Sequence, residues 1–172
     1  MTWTPIQDLA VDDAFAEAVW DDQVKGNLED LHERAQDLDY VQITAPVSVT
    51  AGAEGTADTI ISGTAQAYTA GRRLAIEFSC PAVRPGAAGS VLTFVLLRGS
   101  TVLGQVQVEQ DSGGGTQGTP AKIEFIDAAP PGGTYAYVVK AFVASGTGTV
   151  RAGTGGSGSL VPAFLRVRRA DA

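Results

Sequence analysis

Two different periods of hydrophobic residues divide the chain near residue 39. Before it, apolar side chains recur every three to five residues, with no proline and a single glycine between Asp12 and Leu38, which is the period of an amphipathic helix. After it, apolar and polar residues alternate in short segments between clusters of glycine and proline, which is typical of antiparallel strands. The pattern predicts a mainly β protein, with an N-terminal α-helix over about 12–38 followed by an antiparallel, jelly-roll-like β-sandwich over 40–172.

The distribution of charge supports the same boundary. Residues 1–39 carry eleven acidic and two basic side chains, a net charge of −9, whereas residues 40–172 carry eight acidic and ten basic ones, a net charge of +2. The first segment is therefore predicted to be an acidic anchor, separate from a Gly-rich β domain. The whole chain has a net charge of −7, and we expect no nucleic-acid partner, because neutralised phosphates supply most non-specific affinity.

The predicted helix has an apolar seam that needs a partner. From Val24 onward its apolar residues keep a 4-3-4-3 spacing, but a seam of about two heptads is marginal for an isolated helix. It packs on its own β domain, on copies of itself as a short trimeric coiled coil, or on a host assembly. Large aromatic residues on the acidic leader suit an anchor into a partner, with burial in the chain's own core as an equal alternative. The predicted anchor or oligomer interface consists of Trp3, Phe15, Trp20, Val24, Leu28, Leu31, Ala35 and Leu38.

Few residues in the sequence are suited to catalysis, metal binding or a cofactor. One cysteine and one histidine cannot supply the ligands of a Cys/His metal site. Cys80 lies on an apolar alternation and is predicted to be a buried core residue, and His32 a helix-surface residue, rather than a nucleophile–base pair. Gly153, Gly155 and Gly158 match G-x-G-x-x-G, but a strand is predicted after them, so we interpret them as a β-turn rather than a phosphate site. We expect no metal and no cofactor.

Two alternatives to a purely structural role remain open. A glycoside hydrolase needs two carboxylates across a cleft. The candidates in the β half are Glu77, Glu109, Glu124 and Asp127, of which Glu77 and Glu124 are the first to test, although the sequence does not show how they are arranged. A module that binds host glycan or cell wall needs exposed aromatic rings, and the candidates in the β half are Tyr68, Tyr135 and Tyr137. We expect a protein without enzymatic activity.

No targeting or membrane-spanning segment is predicted. The first eight residues carry no basic side chain, unlike the start of a signal peptide, and no apolar run reaches the length of a transmembrane helix. The expected product is soluble, is not exported through a cleaved signal and does not insert into a membrane.

Three stretches of the chain resemble small virion proteins of tailed bacteriophages, notably those of actinobacteria. Residues 20–31, with the sequence WDDQVKGNLEDL, are similar to the helix that opens many phage fibre and minor tail proteins, with Lys25-Gly26 in place of the usual Arg-Asp pair. The other two are residues 40–50 with 74–81 following, and the Gly-rich stretch 143–158 that leads into 161–167.

The resemblance implies a non-enzymatic structural component of a virion, assembled in the host cytoplasm. It would dock on capsid or tail proteins through its N-terminal segment and project its β domain, as a capsid decoration or head spike, or as a minor tail or fibre protein. Related proteins often form homotrimers with jelly-roll domains like that of tumour necrosis factor. Apolar outer faces on strands such as Val91 to Leu97 would supply a trimer interface, and host-surface glycan is the alternative partner.

Overall fold

The structure, a computed structural model, describes residues 24–28, 31, 37–109 and 118–170. Residues 24–28 and 31 are helical, and the described residues from Asp37 onward form strands and one 3-10 turn, Glu54–Thr56. The strands are β1 (Asp37–Ile43), β2 (Val47–Val49), β3 (Asp58–Ser62), β4 (Gln66–Tyr68), β5 (Leu74–Arg84), β6 (Val91–Arg98), β7 (Thr101–Glu109), β8 (Thr119–Asp127), β9 (Gly133–Tyr135), β10 (Tyr137–Val143), β11 (Gly148–Arg151) and β12 (Ala163–Arg169).

Most of these strands form two antiparallel sheets. The front sheet has the order β1-β12-β5-β11-β2, and β8 also pairs with β5. The back sheet has the order β3-β10-β6-β7, and β4 and β9 form a separate two-stranded sheet. The orders β1-β12-β5-β8 and β3-β10-β6-β7 are those of the two sheets of a jelly roll. The prediction of a mainly β, antiparallel, jelly-roll-like fold is confirmed.

The core lies between the two sheets, because each strand turns alternate side chains inward. In β5 the side chains of Leu74, Ile76 and Phe78 are at most 2% exposed, and the residues between them face outward. The ring of Phe78 in the front sheet lies 5.3 Å from that of Phe94 in the back sheet, measured between centroids. The two sheets therefore pack face to face.

Strand β6 is buried on both of its faces. Even on the outer face, Thr93, Val95 and Leu97 are at most 8% exposed. Side chains of β7 and β10 flank them, and the turn Glu54–Thr56 lies beside Val95 and Leu97, tied to β7 by a 2.7 Å hydrogen bond from the Gln105 amide to Glu54. The prediction that the Val91–Leu97 run exposes an apolar face for a trimer is therefore wrong, because the chain covers that face itself.

The predicted helix does not reach residue 38. Asp37, Leu38 and Asp39 are the first residues of β1, in which Asp37 and Asp39 pair with β12 on either side of an irregularity at Leu38. Leu38 packs against the core, and the carboxylate of Asp39 accepts the backbone N–H of Thr64 at 2.8 Å. Of the predicted helix, the structure describes 24–28 and 31, which are helical, and the remaining residues before Asp37 lie outside the described part of the chain.

None of the helical segments in the described ranges has the length and hydrophobicity needed to span a bilayer.

Asp58, at the start of β3, holds the connection that leads from β2. Its carboxylate accepts the backbone N–H groups of Ala51 at 3.0 Å and Thr50 at 2.7 Å. These hydrogen bonds outweigh the opposing effect of burial and hold the pKa of Asp58 below its usual value. The connection is therefore fixed by a charged acceptor.

We expect the stabilisation by Asp58 to depend on pH. The pKa of Asp58 is lower in the folded than in the unfolded chain. The ionised carboxylate therefore stabilises the fold fully above the unfolded pKa of about 4, and this stabilisation is lost as the pH falls through the folded pKa. Asp58→Asn should lower the melting temperature at pH 7 and reduce its decline in acid, as measured by thermal unfolding between pH 7 and pH 2. The control is Glu109→Gln at an exposed carboxylate, and identical pH profiles for Asp58→Asn and the unmodified chain would contradict the prediction.

Candidate functional site

The outer surface of the front sheet carries a grid of aromatic and charged side chains, which we call the front face. Strands β1, β12, β5 and β8 lie side by side, and their registers align outward-facing residues in rows. Neighbouring strands lie about 4.8 Å apart, so each row is roughly 14 Å long. The rows are Gln42–Phe164–Ser79–Lys122, Tyr40–Arg166–Glu77–Glu124 and Asp37–Arg168–Ala75–Ile126.

The charged side chains in the middle of the front face form a connected ion-pair network. Glu77, 16% exposed, accepts a hydrogen bond from Arg166 at 2.5 Å and lies 3.4 Å from the amine of Lys122. Burial alone would raise the pKa of Glu77, but the hydrogen bonds and positive charges of Arg166 and Lys122 outweigh it, and the pKa is lowered. Lys122 also contacts Glu124 at 2.6 Å. Glu77 is thus held as a carboxylate, which makes it a poor general acid.

Two aromatic rings lie at the β1 edge of the front face. The rings of Tyr40 and Phe164 are 5.7 Å apart and inclined by 32°, and Tyr40 is 46% exposed. The amide of Gln42 donates to the Tyr40 hydroxyl at 2.5 Å, and the guanidinium of Arg166 lies 5.8 Å from the Phe164 centroid. This edge offers an exposed ring beside a planar amide and a planar guanidinium.

The three tyrosines predicted to contact glycan pack against one another, with Tyr68 and Tyr137 buried and Tyr135 partly exposed. The rings of Tyr68 and Tyr135 stack at 4.8 Å, and Tyr137 meets both edge-on at 5.7 and 5.8 Å. Tyr137 is fully buried and Tyr68 is 8% exposed. The prediction of an exposed platform is therefore wrong for these two residues, because the sheet of β4 and β9 packs them into the end of the core.

The hydroxyl of Tyr68 is buried and has no hydrogen-bond partner among the residues that the structure describes. It lies beside a cavity of about 70 Å³ that Leu38 and Arg72 also line. Buried hydroxyls of this kind are usually satisfied by ordered water, and the cavity has room for it. We therefore interpret it as a hydration site.

A buried ion pair closes the same end of the core. Nη1 of Arg98 donates to both carboxylate oxygens of Asp127 at 2.6 and 2.9 Å, and the hydroxyl of Tyr137 donates to Asp127 at 2.8 Å. Burial, followed by the hydrogen bond to Asp127 and its negative charge, raises the pKa of Tyr137, so this phenol stays protonated. The three residues belong to β6, β8 and β10, and their contacts tie the two sheets together.

Cys80 is a core residue, as predicted. It is 1% exposed, and its sulfur lies within 3.5 Å of the carbonyl oxygens of Ala82 and Arg151. Burial raises the pKa of the thiol despite these hydrogen bonds, which disfavours the reactive thiolate. His32 lies outside the described residues.

We expect the thiol of Cys80 to be unreactive in the native protein. In guanidinium chloride, Ellman's reagent should label one thiol per chain within minutes. Over the same time it should label no thiol in the native protein, because burial and the raised pKa both suppress attack of the Cys80 sulfur on the reagent. Rapid labelling of the native protein would contradict this result.

The glycines of the G-x-G-x-x-G stretch form a turn between β11 and β12, as predicted. The N–H of Gly155 donates to the carbonyl of Leu160 at 2.9 Å, and that of Gly153 donates to Val161 at 3.3 Å. Gly158 adopts a φ of 75°. Since these N–H groups are used within the β11–β12 connection and a strand follows, the loop lacks the arrangement of a phosphate cradle.

Among the predicted anchor residues, Leu28 and Leu31 are 56% and 50% exposed, and Val24 is partly buried. Leu38 lies in β1 instead of the helix. The others, Trp3, Phe15, Trp20 and Ala35, lie outside the described residues.

Within the described ranges, no three His, Cys, Asp or Glu side chains are arranged to hold a metal ion.

Comparisons with known proteins give distant similarities only. No family model and no curated protein matches the sequence. Among solved structures, the chain is similar to a carbohydrate-binding module of Cellvibrio mixtus lichenase 5A in complex with cellotriose, with 18% identity over 81% of this chain and 94% of that one and a TM-score of 0.36. The chain is also similar to the C-terminal carbohydrate-binding module of a Zobellia galactanivorans laminarinase, with 14% identity over 80% of this chain and 94% of that one and a TM-score of 0.35. A third similar structure is the infectious bursal disease virus VP2 subviral particle, with 14% identity over 77% of this chain and 36% of that one and a TM-score of 0.34.

Proposed function

We propose that this protein is a non-enzymatic structural component of a bacteriophage virion, which docks through its N-terminal segment and projects its jelly-roll-like domain from the particle surface. The observation that carries the proposal is the exposure of Leu28 and Leu31, at 56% and 50%, beside a β domain that closes its own core. These leucines are three positions apart on one helical face. They form an exposed apolar pair that is available for contact with another chain.

The charge of the segment supports an external partner. Residues 1–39 have a net charge of −9, but the cations of the front face are already paired with carboxylates of the β domain. Arg166 and Arg168 lie within 4.0 Å of Glu77, and Lys122 lies 2.6 Å from Glu124. Asp37, the first residue of β1, lies 3.8 Å from Arg166 and brings the face to three cations and three carboxylates. The face therefore has no excess positive charge for the rest of the acidic segment, which favours docking elsewhere.

The arrangement of Glu77 and Glu124 supports a role without hydrolysis. They occupy paired positions of adjacent strands, and the single amine of Lys122 contacts both, at 3.4 and 2.6 Å. A glycoside hydrolase places its carboxylates on opposite sides of the scissile bond. Two carboxylates that share one lysine on a sheet surface do not have that arrangement.

The same helical segment is the proposed site of homotrimer formation, since the outer face of β6 is covered. Light scattering should give a trimer for the full chain and a monomer for residues 37–172. A trimer of the shorter chain would place the interface in the β domain, and a monomer in both cases would overturn the homotrimer.

The virion assignment is tested on purified particles of the phage that encodes this chain. Immunogold labelling with antibodies against residues 37–172 should mark the particle surface, at the head for a decoration or spike and at the tail for a fibre or minor tail protein. Absence of both label and tryptic peptides from the particles would overturn the assignment.

A second candidate function is the binding of host-surface glycan. The predicted tyrosines do not favour it, but the exposed ring of Tyr40 beside Gln42 and Arg166 does.

A further inference from the structure

We propose that Tyr40, Gln42, Phe164 and Arg166 form a binding site for a neutral glycan. This proposal rests on the second candidate function, glycan binding, and names the residues and the class of ligand for it. The assignment to a virion does not depend on this proposal. Tyr40 pairs with Arg166, and Gln42 pairs with Phe164, across the antiparallel strands β1 and β12. The backbone hydrogen bonds of the sheet therefore fix the four side chains as a unit.

The ring of Tyr40 supplies the apolar surface that a sugar needs. A pyranose ring presents C–H groups on its faces, and these pack on an aromatic ring. Tyr40 is 46% exposed, and it is held from the side by Phe164, whose ring lies 5.7 Å away, and by the 2.5 Å hydrogen bond from Gln42. Because the ring is fixed before the ligand arrives, binding loses little side-chain entropy.

Polar groups suited to sugar hydroxyls flank this ring. Gln42 uses an N–H on Tyr40, which leaves its amide oxygen as an acceptor. Arg166 directs Nη2 at Glu77 and remains 29% exposed, and a guanidinium has five N–H donors. A hydroxyl both donates and accepts, so adjacent hydroxyls of one sugar match an amide oxygen and a guanidinium together. A few placed polar groups around an apolar surface are the usual composition of a ligand site.

The charge balance of the front face favours a neutral ligand over an anionic one. Its three cations and three carboxylates are joined by contacts of 4.0 Å or less, so the face has no net charge. An anionic polymer would have to displace Glu77 from Arg166, whereas a neutral sugar leaves that pair intact. The predicted ligand is therefore an uncharged oligosaccharide or polysaccharide rather than a phosphate-bearing polymer.

The test is a titration of the full chain in which saturation-transfer NMR detects binding. The neutral probes are cellotetraose, maltotetraose, laminaritetraose, mannotetraose and tetra-N-acetylchitotetraose. We expect saturable binding of at least one probe, weakened about tenfold by Tyr40→Ala, as for an aromatic hot spot, and retained in Tyr40→Phe. Ile126→Ala is the matched control, since Ile126 is 45% exposed on β8 of the same face. Near-ultraviolet circular dichroism checks that each variant is folded.

The outcomes separate the site from the function. Binding that Tyr40→Ala leaves unchanged would overturn this site while glycan binding stands. Binding to none of the neutral probes and not to heparin would overturn both. Binding to heparin alone, an anionic glycan, would overturn the neutral-glycan site while glycan binding stands. None of these results bears on whether the chain is present in virions.

Discussion

Replacing Asp127 with alanine is expected to lower the free energy of unfolding by about 3–5 kcal/mol, as for one partner of a buried ion pair. The side chains of Arg98 and Asp127 are only 18% and 7% exposed. Without the carboxylate, the guanidinium loses both hydrogen bonds and the buried hydroxyl of Tyr137 loses its acceptor. Unpaired groups in such an environment keep their desolvation penalty.

Glu124→Ala is the control for this result, measured in the same chemical denaturation series. Glu124 also belongs to β8 and also contacts a cation, Lys122 at 2.6 Å, but its side chain is 70% exposed. An exposed ion pair contributes less than about 1 kcal/mol. Equal losses in the two variants would show that the Arg98–Asp127 pair does not hold the end of the core together.

Phe78→Ala is expected to lower the free energy of unfolding by about 3–5 kcal/mol, as is usual for a buried phenylalanine. Phe78 is 0% exposed and contacts Phe94 across the sandwich. The substitution removes packing between the front and back sheets and leaves a cavity between them. Urea denaturation monitored by circular dichroism measures the loss.

Phe164→Ala provides a matched control on the same sheet. Phe164 pairs with Ser79, the residue after Phe78, and points to the opposite face, where it is only partly buried. We expect a clearly smaller loss for Phe164→Ala. A larger loss than for Phe78→Ala would mean that the inner and outer faces of the front sheet are assigned the wrong way round.

The strands could be predicted where one face of the strand is buried and the other is not. Alternation with a period of two marks β5 from Leu74 to Cys80 and β10 from Tyr137 to Val143, since a shift of one residue would turn every apolar side chain outward. The same alternation placed Tyr137 on the apolar face. It is therefore buried, although tyrosine alone suggested a surface role.

The end of the helix and the front-face site depend on contacts between distant parts of the chain. The position of Leu38 is compatible with both the helical spacing and a strand, and the pairing of β1 with β12 is what makes this segment a strand. The same pairing brings Tyr40 to Arg166, which is 126 positions later in the chain. Within each strand the signal is only a polar face with one aromatic residue, and no local pattern shows that the two faces adjoin.

The central claim is that the chain docks on a virion through its N-terminal segment, and the most direct measurement is reconstitution on particles that lack it. Phage particles produced without this protein are incubated with the full chain, with Leu28→Glu/Leu31→Glu, or with Val161→Glu. Val161 is the control because it is 60% exposed on the β domain. We expect the full chain and Val161→Glu to co-sediment with the particles and the double variant to stay in the supernatant. Failure of the full chain to co-sediment, or equal binding by the double variant, would contradict the claim.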